Sequence, residues 1–259
     1  MPPSAHEEPG AIDLGTTVAG VRLPFCAMNA AGVRSSTTSE LRQLADSATG
    51  AVVLATTTVH PFVHPQYRSL HNPGYDKLAP FAHELAERSG RPIIASVAGA
   101  TADEYVTLAR AFAESGAALI EANLADPYVN ATLAPFEEPG VLRETATRLA
   151  AASDVPVMIR LSDRSPMPHR HLVAALAGTG VRVVVVRNGF DDFEKLLLVA
   201  GETLEMVVVG GIRSGYDVSR TLAKGAHAVQ VRSVLAEEGP AVFARLAREM
   251  RIARRGPGR

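Results

Sequence analysis

The sequence predicts a closed, eight-stranded parallel β/α barrel, on three observations. Eight apolar, β-branched runs of strand length recur along the chain. Segments with helical spacing separate them. The run from Val183 to Val186 is apolar on both faces, which a strand tolerates only when both faces are covered. An open doubly wound sheet is the rival architecture, but the first strand is not followed by the GxGxxG turn of that fold.

After a polar leader, IDLGTTVAG and VRLPF read as a small hairpin covering the bottom of the barrel. Strands follow near 24–29, 51–57, 92–98, 119–125, 156–162, 182–188, 206–210 and 227–233. The helices between and after them begin at SELRQLADSA, YDKLAPFAHELAERS, ADEYVTLARAFAESG, GVLRETATRLAAAS, HRHLVAALAGTG, DFEKLLLVAGE, GYDVSRTLAKG and GPAVFARLAREMRIA. Local chemistry starts two of these helices well: Thr101-Ala102-Asp103-Glu104 has the pattern of a capping box, and Ser214 precedes Gly215.

At 259 residues the chain suits one β/α-barrel domain over 1–259, with about 1–10 and 252–259 as flexible ends. Hydrophobic residues at 47% and charged ones at 20% give an ordinary globule with a substantial core. The 26 basic and 27 acidic side chains leave a net charge of −1, so no broad field recruits nucleic acid or a lipid surface. One cysteine, Cys26, cannot form an internal disulfide and suits a reducing, cytoplasmic setting. It lies in the apolar run VRLPFCAM and reads as a buried small hydrophobe. The start of the chain lacks a signal-peptide pattern, and no apolar stretch reaches about 20 residues, the length of a membrane span.

Barrel chemistry gathers at the C-terminal ends of strands. Those ends carry Asn29, Thr56 to Thr58, Ser96, Glu121, Asn123, Asp126, Arg160, Ser162, Arg187, Asn188, Gly210, Gly211, Arg232 and Ser233. This ring is more polar than turns require. Gly210, Gly211 and Ser233 sit where such barrels grip a phosphate, although the two glycines equally suit plain tight turns. Alternation aims Glu121 and Asn123 into the barrel mouth. Glu121 has two readings there, a structural partner of Arg160 and a catalytic carboxylate. His60, His64 and His71, with His169 and His171, are read as loop histidines rather than metal ligands, because Pro61 and Pro65 prevent a helix from aligning the first pair.

Asn29-Ala30-Ala31-Gly32, Asn72-Pro73-Gly74-Tyr75-Asp76, Ser96-Val97-Ala98-Gly99, Glu121-Ala122-Asn123-Leu124 with Pro127, and GGIRSGYDVSRTLAKGAHAVQVRSVL resemble the dihydroorotate dehydrogenase family, in order, from about residue 13 to 250. The resemblance implies a barrel with FMN at its mouth, oxidoreductase chemistry on a small molecule, and a homodimer. It also implies that Ala31 and Gly32 touch the flavin ring, that Asn123 and Asn188 lie in the site, and that Gly210 and Gly211 form a phosphate-binding turn. Thr56, Arg232 and Ser233 complete the cofactor-binding set.

The departures bear on substrate. Ala55 and Arg160 stand where the family carries lysines, and Arg160 still brings positive charge to the flavin edge. The family's Cys or Ser base motif is Asp126-Pro127-Tyr128 here, which makes Asp126 the candidate base. The asparagine-rich loop after strand two is reduced to RSLHNPGYD, leaving Asn72 with His71 and Tyr128 as substrate-binding candidates, and the glycine-rich loop after strand six is absent. A site stripped of those asparagines expects a substrate other than dihydroorotate. Two other readings stay open: a flavin-free isomerase, lyase or hydrolase using Asp126 and Glu121, and a non-catalytic binding protein.

Overall fold

The computed structural model describes residues 12–63, 71–125, 136, 138–189 and 193–255. Strands β1 (Thr16–Val18) and β2 (Val21–Leu23) form an antiparallel hairpin. Eight parallel strands follow: β3 (Ala27–Asn29), β4 (Val52–Val53), β5 (Ile93–Val97), β6 (Leu119–Asn123), β7 (Val157–Arg160), β8 (Val183–Arg187), β9 (Glu205–Val209) and β10 (Ala228–Val231). Helices α1 (Thr38–Ala45), α2 (Tyr75–Ser89), α3 (Ala102–Glu114), α4 (Pro139–Ala152), α5 (His169–Leu176), α6 (Phe193–Ala200) and α7 (Gly215–Ala223) alternate with them. A short α8 (Ser233–Glu238), which periodicity does not single out, precedes α9 (Val242–Arg255).

The strands are hydrogen-bonded in the order β3-β10-β9-β8-β7-β6-β5-β4, so β3 and β4 are the two ends of a sheet rolled until they meet. Alternation sorts their side chains. Met28, Val53, Ile94, Met158, Val185 and Val207 share one cluster inside the roll. Ile120, Ala122, Ile159, Val184, Val208 and Val229 turn outward into the layer packed under the helices. This two-sided burial explains why the strands read as unbroken apolar runs.

The seam between β3 and β4 has no ladder of its own. Instead the side chain of Asn29, fully buried, donates through Nδ2 to the Val53 carbonyl (2.7 Å) and accepts from the Val53 N–H at Oδ1 (2.8 Å). Below it the Gly50 N–H reaches the Ala27 carbonyl at 2.8 Å. A Cβ at Gly50 would lie 1.7 Å from the Phe25 carbonyl oxygen, so only glycine lets the chain pass so close.

Strand β4 also carries a bulge. Val53 pairs with Ile94, yet the next bridge joins Thr57 to Val97, four steps of chain against three. The Leu54 N–H bonds to Ile94 and the Thr57 N–H to Ser96, leaving one extra residue between. Such an insertion re-aims a side chain. Regular alternation from Val53 would turn Ala55 inward, and the bulge turns Thr56 inward in its place, where it meets Ser96 and Asn123.

The hairpin closes the lower end, as its position in the sequence suggests. Val18 and Leu23 join the interior cluster, and the Ala19 N–H donates to Glu205 at the start of β9 (2.7 Å). Cys26 is buried with its thiol 3.9 Å from the Met250 sulfur, and burial pushes its pKa up to about 11, so it is an inert core residue. α9 continues to Arg255, past position 252, with Arg254 bonded to the Asp13 carbonyl.

Helix starts follow side-chain chemistry. Ser214 and Asp217 form a full capping box, as do Thr37 and Glu40. Thr101 caps α3 by accepting from the Glu104 N–H, but Glu104 turns its own carboxylate to the Ala100 N–H (2.7 Å), so the box is half closed. Glu249 of α9 accepts from the Gly215 N–H (2.6 Å) and from Arg245 (2.7 Å), tying α9 to the start of α7. Burial works against its charge, but these donors outweigh it and hold its pKa below the ordinary carboxylate value. Its stabilisation is therefore complete above the unfolded pKa, about 4.3, and is lost as pH falls through the folded value. With a third of its side chain exposed, the effect is on the order of 0.5 kcal/mol after solvent screening. Glu249→Gln should flatten that part of the acid limb in urea titrations repeated at descending pH.

Candidate functional site

The C-terminal ends of the eight strands form the mouth. On β6, Glu121 and Asn123 face inward as alternation requires, with Glu121 wholly buried and Asn123 5% exposed. Glu121 does not pair with Arg160, the structural alternative for this carboxylate. It accepts from Ser96 Oγ on β5 (3.2 Å) and from Gln230 Nε2 on β10, across the inside of the barrel. The register puts Met158 beside Glu121, two residues below Arg160 on β7, so the arginine stands nearer the rim.

Arg160 lies opposite Asn123 and Val185 and so belongs to the inward face, half-buried. Among the described residues it has no carboxylate partner. Arg187, at the end of β8, bonds Asp163 at 2.9 Å. Arg232, after β10, is exposed, and it too has no acidic partner among the described residues. Three strand ends thus carry arginines, and of these Arg160 alone is half-buried on the inward face.

Thr56 Oγ1 accepts from Asn123 Nδ2 (2.8 Å) and lies 3.1 Å from Ser96 Oγ. Ala31 and Gly32, in the turn after β3, are half-buried, with Gly32 at φ +78° and its N–H bonded to Ser35 Oγ. Gly210 and Gly211 are consecutive residues at φ +81° and +70°, a backbone that side chains resist. Nothing lies near the missing Cβ of Gly210, whereas one on Gly211 would strike Asn188 Nδ2 at 2.4 Å, so the exposed Asn188 lies across that glycine. Ser233 is exposed at the first turn of α8.

Asn72 is buried, and its Oδ1 accepts from the Gly74 N–H (3.1 Å) and Thr58 Oγ1 (3.2 Å), fastening the loop whose backbone pairs Phe62 with Asn72. His71 beside it is half-buried. Asp126 and Tyr128 lie outside the described residues, as does His64. His169 is buried with Nε2 at 3.0 Å from the Ser162 carbonyl, while His171 is exposed, so this pair does not converge. Outside the barrel, a cleft of about 440 Å3, partly open to solvent, runs from Arg187–Gly189 between α6 and α7 over Val186 and Val208.

One residue of this site is not singled out by the sequence, and one takes a different role from the expected one. Gln230 hides in the apolar run AVQV, where a lone amide at an inward register was the available signal. Asn29 ends its strand in the expected ring, but its amide is spent on closing the sheet.

Comparison with known proteins agrees with this fold. A model of the family described as dihydroorotate dehydrogenase matches residues 13–193. The catalytic subunit of dihydroorotate dehydrogenase B (NAD(+)) from Thermoplasma acidophilum is 26% identical, with 92% of each chain covered. Dihydroorotate dehydrogenase (fumarate) from Trypanosoma cruzi is also 26% identical over 88% of each. Among solved structures, the dihydroorotate dehydrogenase of Eimeria tenella in complex with ferulenol superposes with a TM-score of 0.78 at 15% identity, covering 96% of this chain and 85% of that one, a likeness of fold. With the family model spanning well over half of its length, the chain belongs to the dihydroorotate dehydrogenase family of oxidoreductases.

Proposed function

We propose that this chain is an FMN-dependent oxidoreductase acting on a small molecule other than dihydroorotate. The observation that carries the reading is Arg160, a half-buried guanidinium on the inward face with no carboxylate among the described residues to neutralise it. A cation so placed favours an anionic occupant. The donor set suits FMN. Thr56 and Asn123 offer hydrogen-bonding groups beside Arg160, and the open Gly210–Gly211 turn with exposed Arg232 and Ser233 offers the donors a phosphate needs. FMN, when bound, supplies a ring that takes up a hydride equivalent and carries negative charge once reduced. Arg160 would then stabilise that charge, Ala31 and Gly32 would let the backbone approach the ring, and Asn188, whose amide lies over Gly211, would help line the cofactor site. Asp126 is the residue that would accept the substrate proton.

The substrate reading rests on residue types. Asp126-Pro127-Tyr128 replaces a pattern that ends in asparagine, and Asn72 spends its side-chain oxygen on its own loop. Tyr128 and His71 are left to contact a smaller or more aromatic molecule. We further take the enzyme to be a cytoplasmic homodimer. No helix among the described residues is long and apolar enough to cross a membrane.

The purified protein should be yellow, release FMN by mass analysis on denaturation, and keep its oxidised spectrum when dihydroorotate is added without air. A colourless protein that takes up no added FMN overturns the cofactor. Bleaching by dihydroorotate overturns the substrate assignment. Sedimentation at the mass of one chain removes the dimer.

A further inference from the structure

The inside of the barrel holds a carboxylate for which the proposed reaction has no use. Glu121 is fully buried and has no cation bonded to it among the described residues. Its environment is polar and continuous: Gln230, Glu121, Ser96, Thr56 and Asn123 form an unbroken series of contacts ending at the mouth.

The direction of this series can be deduced from one end. The Ala125 N–H donates to Asn123 Oδ1 at 3.0 Å, which identifies that atom as the oxygen and turns Nδ2 toward Thr56. Nδ2 can only donate, so Thr56 Oγ1 accepts, and its own hydrogen is released for Ser96 Oγ. Ser96 in turn has its single hydrogen left for Glu121 Oε1. The opposite sense would give Thr56 two incoming hydrogens and leave the Ser96 oxygen facing Glu121 with no proton between them. Every donor therefore points inward, and the chain needs a terminal acceptor that gives nothing back. A carboxylate oxygen is such a group.

Two further features show that the network is built in rather than incidental. The β4 bulge, which breaks a strand pairing, brings the Thr56 hydroxyl into line. Gln230 keeps its buried Oε1 without a partner while giving Nε2 to Glu121, a cost that a purely structural core would avoid with an apolar residue.

We propose that Glu121 is a positioning residue for the barrel mouth: its carboxylate ends a one-way hydrogen-bond chain through Ser96 and Thr56 that, together with the Ala125 N–H at the other end, holds the Asn123 side-chain amide in one orientation. What the oriented amide holds rests on the FMN reading above. The orientation itself does not.

Two measurements on the full chain separate these. In 15N-labelled protein the Asn123 side-chain NH2 signals, identified by their absence in Asn123→Ala, should move and exchange faster in Glu121→Leu and Thr56→Val. Glu121→Gln should leave them near their native positions, since its Oε1 still accepts from Ser96 and the Gln230 amide can turn over to meet its Nε2. In FMN titrations, Glu121→Leu and Thr56→Val should each weaken binding about tenfold, as expected for losing one buried hydrogen bond. Combined with Asn123→Ala they should add nothing, because residues acting through one another are not additive.

Unmoved Asn123 signals in Glu121→Leu, or losses of FMN affinity that add fully to that of Asn123→Ala, overturn the proposal. Should Glu121→Leu not fold, Thr56→Val and Ser96→Ala decide it in the same way. If the native protein takes up no FMN, the cofactor reading fails and the NMR measurement alone decides on Glu121.

Discussion

Asn29→Ala should be the most destabilising single change at the mouth, lowering the unfolding free energy by roughly 2–6 kcal/mol, since it leaves two buried backbone groups unpaired at about 1–3 kcal/mol each. The Val53 N–H and carbonyl both lose their partner at a seam where no strand ladder takes over. Against a total stability on the order of 5–15 kcal/mol, this is a large fraction. Asn29→Asp should rescue little, because it accepts from the Val53 N–H but sets a carboxylate against the Val53 carbonyl. Urea unfolding followed by circular dichroism reads the effect, and an unchanged midpoint for Asn29→Ala would show that β3 and β4 hold together without the amide.

Asp126→Asn should give the largest loss of activity. If Asp126 is the proton acceptor proposed here, substrate-driven reduction of bound FMN should slow by about 10²–10⁴-fold, the usual weight of a positioned general base. Binding of FMN should be unchanged, and chemical reduction by dithionite should proceed as in the native protein. The measurement is stopped-flow bleaching without air, using any small compound that bleaches the native enzyme. An aspartate has an ordinary pKa of about 3.9 and accepts protons weakly unless its surroundings raise that value. The native rate should accordingly fall as pH is lowered through the pKa of this group, and the variant should lack that limb. Full-speed bleaching in Asp126→Asn removes the residue from the reaction.

The barrel was legible because its evidence is local. Two-sided apolar runs such as Val183 to Val186 and inward polar positions such as Glu121 and Asn123 follow from a period of two that any strand imposes. The partners of those inward residues were not legible, since they depend on how neighbouring strands slide past one another. Glu121 therefore meets Ser96 and Gln230 rather than Arg160, a difference set by a register of pairing that one strand's composition does not encode. The bulge in β4 is hidden for the same reason. Counting outward from Val53 points to Ala55, and only the pairing with β5 reveals that Thr56 takes that direction. Capping was read well where the residue pattern sufficed, at Ser214, and half correctly at Thr101, where Glu104 found a nearer donor at Ala100. The candidate base Asp126 and the substrate-binding candidate Tyr128 fall outside the described residues, so their roles rest on the sequence pattern.

The little hairpin at the start of the fold has a kinetic consequence. With Val18 and Leu23 wedged under the strands and Ala19 fastened to Glu205, the cylinder is stoppered from beneath. Hydrogen exchange at the polar groups inside, Glu121 and Gln230 among them, therefore cannot begin from that end and has to work inward from the C-terminal ends of the strands.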